Sequence, residues 1–217
     1  MGMALVKLGY NVLGARLDMA YPLLDNDLDT PIKLAAGYDA LQDIPWANLF
    51  KELDKAYPGS KFILTVREEQ AWLNSALKHF SGKHYRMHEW MYGNGVIDGN
   101  EELYLKHFRQ HYKDVDDYFK ERKDDLLKMD LANGDGWDKL CAFLNCTVPK
   151  QAFPHANKGK HSLSKKDKVV RGIKKLIPGK LRRARVTLLE KMGLHKQKNI
   201  FNNRDVNEKE RGKPLKN

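Results

Sequence analysis

The sequence predicts an α/β protein, a mostly parallel sheet flanked by helices, and three observations predict it. Residues 62–66, FILTV, form a short apolar run rich in β-branched side chains, bounded by Pro58 and Gly59 before it and by charge after it. Residues 125–131, DLLKMDL, form a second such run, and each leads toward a stretch with apolar residues at helical spacing. Strands alternating with helices in this way build parallel sheets covered on both faces. A chain of 217 residues can bury a core of its own, and the expected division is an α/β domain over residues 1–160 followed by a basic tail over residues 161–217.

Taken in order, residues 1–9 read as a helix already under way, with Ala4, Leu5 and Leu8 on one face and Gly9 as its stop. Residues 10–14 read as a short strand, and residues 18–31, rich in Asp, Asn and Pro, as a loop or irregular helix. A short helix over 31–37 and a strand over 38–45, ended by Pro45, follow. Residues 46–57 place Trp46, Leu49, Phe50, Leu53 and Ala56 on one helical face. After the strand at 62–66, Glu68, Glu69 and Gln70 suit the first turn of a helix running to His79, where the helix dipole favours acids. Residues 81–99, rich in Gly, His and aromatic side chains, read as a mobile insertion. A long helix over 101–122, the strand at 125–131, a Gly134–Trp137 turn and a helix over 137–144 complete the domain.

The stretch KFILTVREEQAWLNS, residues 61–75, is where chemistry concentrates. Arg67 stands where a strand ends and a helix begins, the place at which open α/β sheets bind ligands. Its guanidinium is a planar, permanent cation suited to phosphate, and Ser75, about two turns into the helix, offers a hydroxyl. The alternative is structural: Arg67 paired with Glu68 or a neighbouring helix, and Ser75 at the surface. Asp43 is a second candidate, a carboxylate two residues before Pro45; as a helix cap it would serve the helix expected to start near Trp46. His84 and His88, and His107 and His111, are spaced by four and read as surface histidines, His84 and His88 also as acceptor contacts of second rank; no His-Glu-x-x-His pattern is present, and no metal is expected.

The stretch resembles sulfotransferases that use 3′-phosphoadenosine 5′-phosphosulfate (PAPS), in which a strand ends in Arg and a Ser follows eight positions later. A second stretch, DLLKMDLANGDGWDKLCAFLNCTVPKQAFPHANK, resembles one branch of the same family in its order of strand, Gly-Trp turn, helix and Phe-Pro-His segment. The resemblance implies a P-loop type fold, PAPS as donor, and a hydroxyl- or amine-bearing acceptor, glycan or small molecule. It implies that Arg67 and Ser75 hold the 3′-phosphate, that Asp43 is the general base, and that Lys158 of a Lys-Gly-Lys segment reaches the cofactor; a basic linker is the other reading of that segment. Two departures stand out. Glu68-Glu69 replaces the usual residue-Pro pair after the Arg, and two carboxylates repel a phosphate unless they face away. The strand and Lys-Thr-Gly-Thr loop expected ahead of residue 1 are not in this sequence, so a truncated, weakly active chain with two unpaired strand edges is expected.

Charge is divided. Residues 1–155 hold 19 Lys and Arg against 23 acids, residues 156–217 hold 20 against 5. Such a tail, with Val169, Val170, Ile173, Leu176, Ile177 and Leu181 between its cations, suits a polyanion or an anionic membrane, without specific nucleic-acid recognition. That defines the rival expectation, a non-catalytic binding protein. A nucleotide kinase lacks its phosphate loop and magnesium acids here. Cys141 and Cys146 match no metal or redox spacing and are read as packing residues of a reducing compartment, hence a cytoplasmic protein.

Overall fold

The computed structural model describes residues 1–154; the tail and Lys158 lie outside the described residues. Helix α1 (Gly2–Lys7) ends at Gly9, whose φ of 96° only glycine adopts readily, and the Tyr10 amide folds back on Leu5 O at 3.1 Å. Strand β1 (Val12–Leu13) therefore runs back along α1. A 3₁₀ turn (Leu17–Met19), α2 (Ala20–Leu24) and α3 (Asp29–Ala35) lead to β2 (Ala40–Leu41), which pairs with β1 in parallel. Then come α4 (Phe50–Ala56), β3 (Phe62–Thr65), α5 (Glu69–Phe80), α6 (Arg86–Tyr92), α7 (Glu101–Tyr118), a 3₁₀ turn (Lys123–Asp125), β4 (Leu126–Met129) and α8 (Trp137–Leu144). β4 pairs with β3, again in parallel, Phe62 opposite Leu126 through Thr65 opposite Met129. The α/β class with parallel strands between helices is what the sequence predicts.

The strands form two separate pairs. The amides of Ala40 and Gln42 donate to Asn11 O and Leu13 O on β1, so the peptide groups of Leu41 point the other way. Val66 N donates to Met129 O at 2.8 Å, and Ile63 and Thr65 likewise turn their peptide groups away from β4. Among the described residues no ladder joins β2 to β3. Helix α1 spans both pairs instead. Ala4 packs with Met129, Trp137, Leu140 and Cys141, while Leu5 and Val6 pack with Val12, against which Ala40 and Ile63 also lie.

Two expectations are corrected. The helix expected over 46–57 starts only at Phe50, because Trp46 is buried with its indole N–H donated to Gly14 O at 2.9 Å and Tyr57 leaves helical geometry. The segment 81–99 is not a loose insertion. Met87 of α6, with Trp90 and Met91 beside it, enters the core formed by Leu13, Met19, Leu23 and Trp46, and Ile97 is fully buried. Gly95 lets the His84 ring lie close to the backbone: a Cβ would fall 2.4 Å from His84 Nε2, and the ring would have to move aside.

His88 is not a surface histidine. It is 3% exposed, ringed by Phe80, Tyr85, Tyr92 and Tyr104, and its Nδ1 lies 3.2 Å from the Tyr104 hydroxyl, which donates to Asn94 O at 3.0 Å. Burial, with the charge of His84 second, pushes its pKa down to about 4. The native state thus refuses a proton that the unfolded chain binds near its ordinary value, so stability is full above about 6.5 and lost as pH falls toward 4. Melting temperatures measured across pH 7 to 4 are expected to show this decline in the wild type and a flatter profile in His88→Gln; identical profiles contradict the assignment.

Candidate functional site

Parallel pairing points β1, β2, β3 and β4 the same way within each pair, and the residues just past β2 and β3 carry the candidate groups. Arg67 follows β3 by two residues. Its amide donates to the Tyr112 hydroxyl at 3.2 Å, and that hydroxyl donates to Thr65 O at 3.2 Å. One phenol on α7 thus pins the backbone on both sides of Val66 and fixes where the Arg67 side chain starts. A contact between residues 45 apart leaves no local signal in the sequence.

The two carboxylates after Arg67 are both committed elsewhere. Glu68 is the N-cap of α5, its Oε1 and Oε2 accepting the amides of Gln70 and Ala71 at 2.6 Å each, so it satisfies donors that the helix start leaves free. Glu69 faces α7 and accepts two bonds from Arg109, at 2.9 and 2.6 Å; Arg109 also holds Glu102 at 2.7 Å. Arg109 hydrogen bonding holds the Glu69 carboxyl below its ordinary pKa. Arg67 itself is exposed, and its guanidinium makes no ion pair or side-chain hydrogen bond among the described residues. The expected pairing of Arg67 with Glu68 does not occur.

Ser75 is half-buried on α5, and only its carbonyl is engaged, 2.8 Å from His79 Nδ1. The face of α5 that packs inward carries Leu73 and Ala76, with Trp72 stacked on Phe108. One turn nearer the helix start, Ser75 has Ala71 and Trp72 as its neighbours on the helix surface. Its hydroxyl has no partner among the described residues. A free guanidinium just past β3 and a free hydroxyl about two turns into α5 are thus carried by one strand–helix unit.

Asp43 is exposed and follows β2 by two residues. Its φ of 73° is a conformation that Asp tolerates better than most side chains, at a cost of order 1 kcal/mol. Its Oδ1 accepts the amide of Ile44 at 2.9 Å, and Arg16 N donates to Ile44 O at 2.9 Å, so the turn is held from both sides. Asp43 does not cap α4, which starts seven residues later. Its charge reaches Tyr92 at the end of α6, where burial first, then Tyr104 and Asp43, drive the phenol pKa upward. The preceding side chain, Gln42, carries a buried Oε1 with no hydrogen-bond partner among the described residues. Leaving such an acceptor unmet costs about 1–3 kcal/mol. Among the described residues no three His, Cys, Asp or Glu side chains converge as a metal site, and no helix is long and apolar enough to cross a membrane.

Comparison with known proteins identifies the family. A family model described as a sulfotransferase domain matches residues 10–93 and 77–162. "Ava biosynthesis cluster protein M" of Aspergillus versicolor is 29% identical over 177 residues, an alignment covering 69% of this chain and 65% of that protein. The chain thus spans just under two thirds of the length of that curated relative. With the family match running through both strand pairs and every described candidate residue, the chain belongs to the sulfotransferase domain family.

Proposed function

We propose that the protein binds PAPS through Arg67 and Ser75 and directs its sulfuryl group to a hydroxyl or amine, with Asp43 as general base. The observation that carries the reading is the unpaired guanidinium of Arg67 beside two carboxylates that are both engaged elsewhere. Arg67 and Ser75 supply a cation and a donor to the 3′-phosphate, and Lys158, outside the described residues, supplies a second cation. When bound, PAPS supplies an activated sulfuryl group whose leaving group is adenosine 3′,5′-bisphosphate. Asp43 takes the acceptor's proton as its oxygen or nitrogen attacks, a role that needs the carboxylate within hydrogen-bond reach of that atom. Positioning and charge complementarity do the rest.

Calorimetric titration with adenosine 3′,5′-bisphosphate tests the anion site. Saturable binding is expected, weakened roughly tenfold to a hundredfold by Arg67→Ala, since a hydrogen-bonded charge contributes about 1.5–3 kcal/mol, and several-fold by Ser75→Ala. Arg109→Ala, which releases the Glu69 carboxylate toward the same edge, is expected to weaken binding as well. Binding that Arg67→Ala leaves unchanged refutes the site.

Residual transfer from PAPS to a panel of phenols, alcohols and amines tests the base. Asp43→Asn is expected to lower the rate roughly 10²-fold or more with the bisphosphate Kd unaltered. A rate equal to wild type removes Asp43 from the reaction.

A further inference from the structure

The large apolar side chains exposed among the described residues are Leu17, Tyr21, Leu24, Leu28 and Val148, and four of the five lie within twelve consecutive residues. Leu17, Tyr21 and Leu24 are spaced by four and three, so they share the outer face of the 3₁₀ turn and α2, while Met19, Ala20 and Leu23 fill the inner face. Leu28 opens α3 immediately beyond. Tyr21 is 60% exposed, with one face of its ring under the Arg86 guanidinium at 5.5 Å. This apolar stripe takes no part in the anion site.

The stripe is a built surface. At its start, Arg16 N donates to Ile44 O and Arg16 Nε to Asp18 at 2.8 Å. At its far end Asp27 N donates to Pro22 O at 2.8 Å, Asn26 takes a φ of 60°, and Asp27 accepts both the amide and the hydroxyl of Thr30 to start α3. Solvated loops do not need such bracing, and clustered exposed apolar side chains mark interaction surfaces.

The rim has one sign. Residues 16–33 hold the four acids Asp18, Asp25, Asp27 and Asp29 against Arg16 and Lys33. Both cations are already engaged, Arg16 with Asp18 and Lys33 with Asp29 at 3.3 Å, and Arg86 is paired with Glu89 at 3.8 Å. Asp25 and Asp27 have no ion-pair partner among the described residues. An apolar stripe edged by unpaired carboxylates complements one kind of surface. The geometry points to a docking site for an amphipathic helix of a partner protein, its apolar side chains laid along Leu17, Tyr21, Leu24 and Leu28 and its Lys or Arg flanks meeting Asp25 and Asp27. A second copy presenting the same stripe would set Asp25 and Asp27 against themselves, and an anionic bilayer would be repelled by them.

The probe is a fluorescent amphipathic peptide of Leu and Lys, about 18 residues or five helical turns, beside its Leu/Glu counterpart. The full chain is expected to bind the Leu/Lys peptide saturably, with affinity falling as salt rises, and to bind the Leu/Glu peptide at least roughly tenfold more weakly, a difference of ~1.4 kcal/mol. Tyr21→Ser with Leu24→Ser is expected to cost another roughly tenfold at unchanged melting temperature. Asp25→Lys with Asp27→Lys is expected to reverse the preference between the two peptides. Equal binding of both peptides, binding indifferent to these substitutions, or no saturable binding overturns the proposal. So does sedimentation showing a wild-type dimer that the Leu24 variant dissolves and the peptide does not, or retention of the wild type on phosphatidylcholine vesicles that the variant loses.

Discussion

The parallel ladder between β3 and β4 is the constraint on which the candidate anion site depends. It brings residues 62–65 alongside residues 126–129, so that the end of β3 is held by a strand more than sixty positions away in the chain. Tyr112 then ties the last peptide of that strand to α7, and Arg109, one turn earlier on α7, draws Glu69 to itself. A single helix thereby fixes the backbone that carries Arg67 and removes a competing negative charge from its vicinity. The cation is left available because the acids around it have other obligations.

The same economy governs the opposite side of α7. Asp54, almost fully buried, accepts from Tyr118 at 2.7 Å and from both terminal nitrogens of Arg122, at 3.2 and 2.6 Å. Arg122 hydrogen bonding holds its carboxyl below the usual range. The charge is tolerated inside because its lone pairs are met, and the aromatic faces of Tyr118 and Phe119 lie against the guanidinium. Along α7, ion pairs at both ends and apolar packing of Tyr104, Leu105 and Val115 between them make this helix the spine of the second strand pair.

Much of this was legible in the sequence where the signal is local. The β-branched run 62–66, Gly9 as a helix stop, the strand at 126–129 and the helix at 137–144 each announce themselves by composition and spacing, and the structure places them within a residue or two. Arg67 and Ser75 were legible as candidates through the resemblance their spacing carries, and the structure puts both on one strand–helix unit with side-chain groups unpartnered among the described residues. What escaped notice is what distant residues decide. Glu68 and Glu69 look alike in the sequence, yet one caps a helix and the other crosses to Arg109. His88 reads as one polar side chain among several, and only the convergence of Phe80, Tyr85, Tyr92 and Tyr104 makes it a core residue. Trp46 shortened the predicted α4 because its indole found a carbonyl 32 positions back.

The way α1 bridges the two strand pairs has a mechanical corollary. Within each pair, directional bonds fix register to the ångström; across the seam between β2 and β3 cohesion comes from Ala4, Leu5 and Val6, whose attraction has no preferred angle. Among the described residues no strand ladder crosses that seam. Because Asp43 rides on one pair and Arg67 on the other, the separation of these two candidate groups is set by apolar packing and not by a strand ladder.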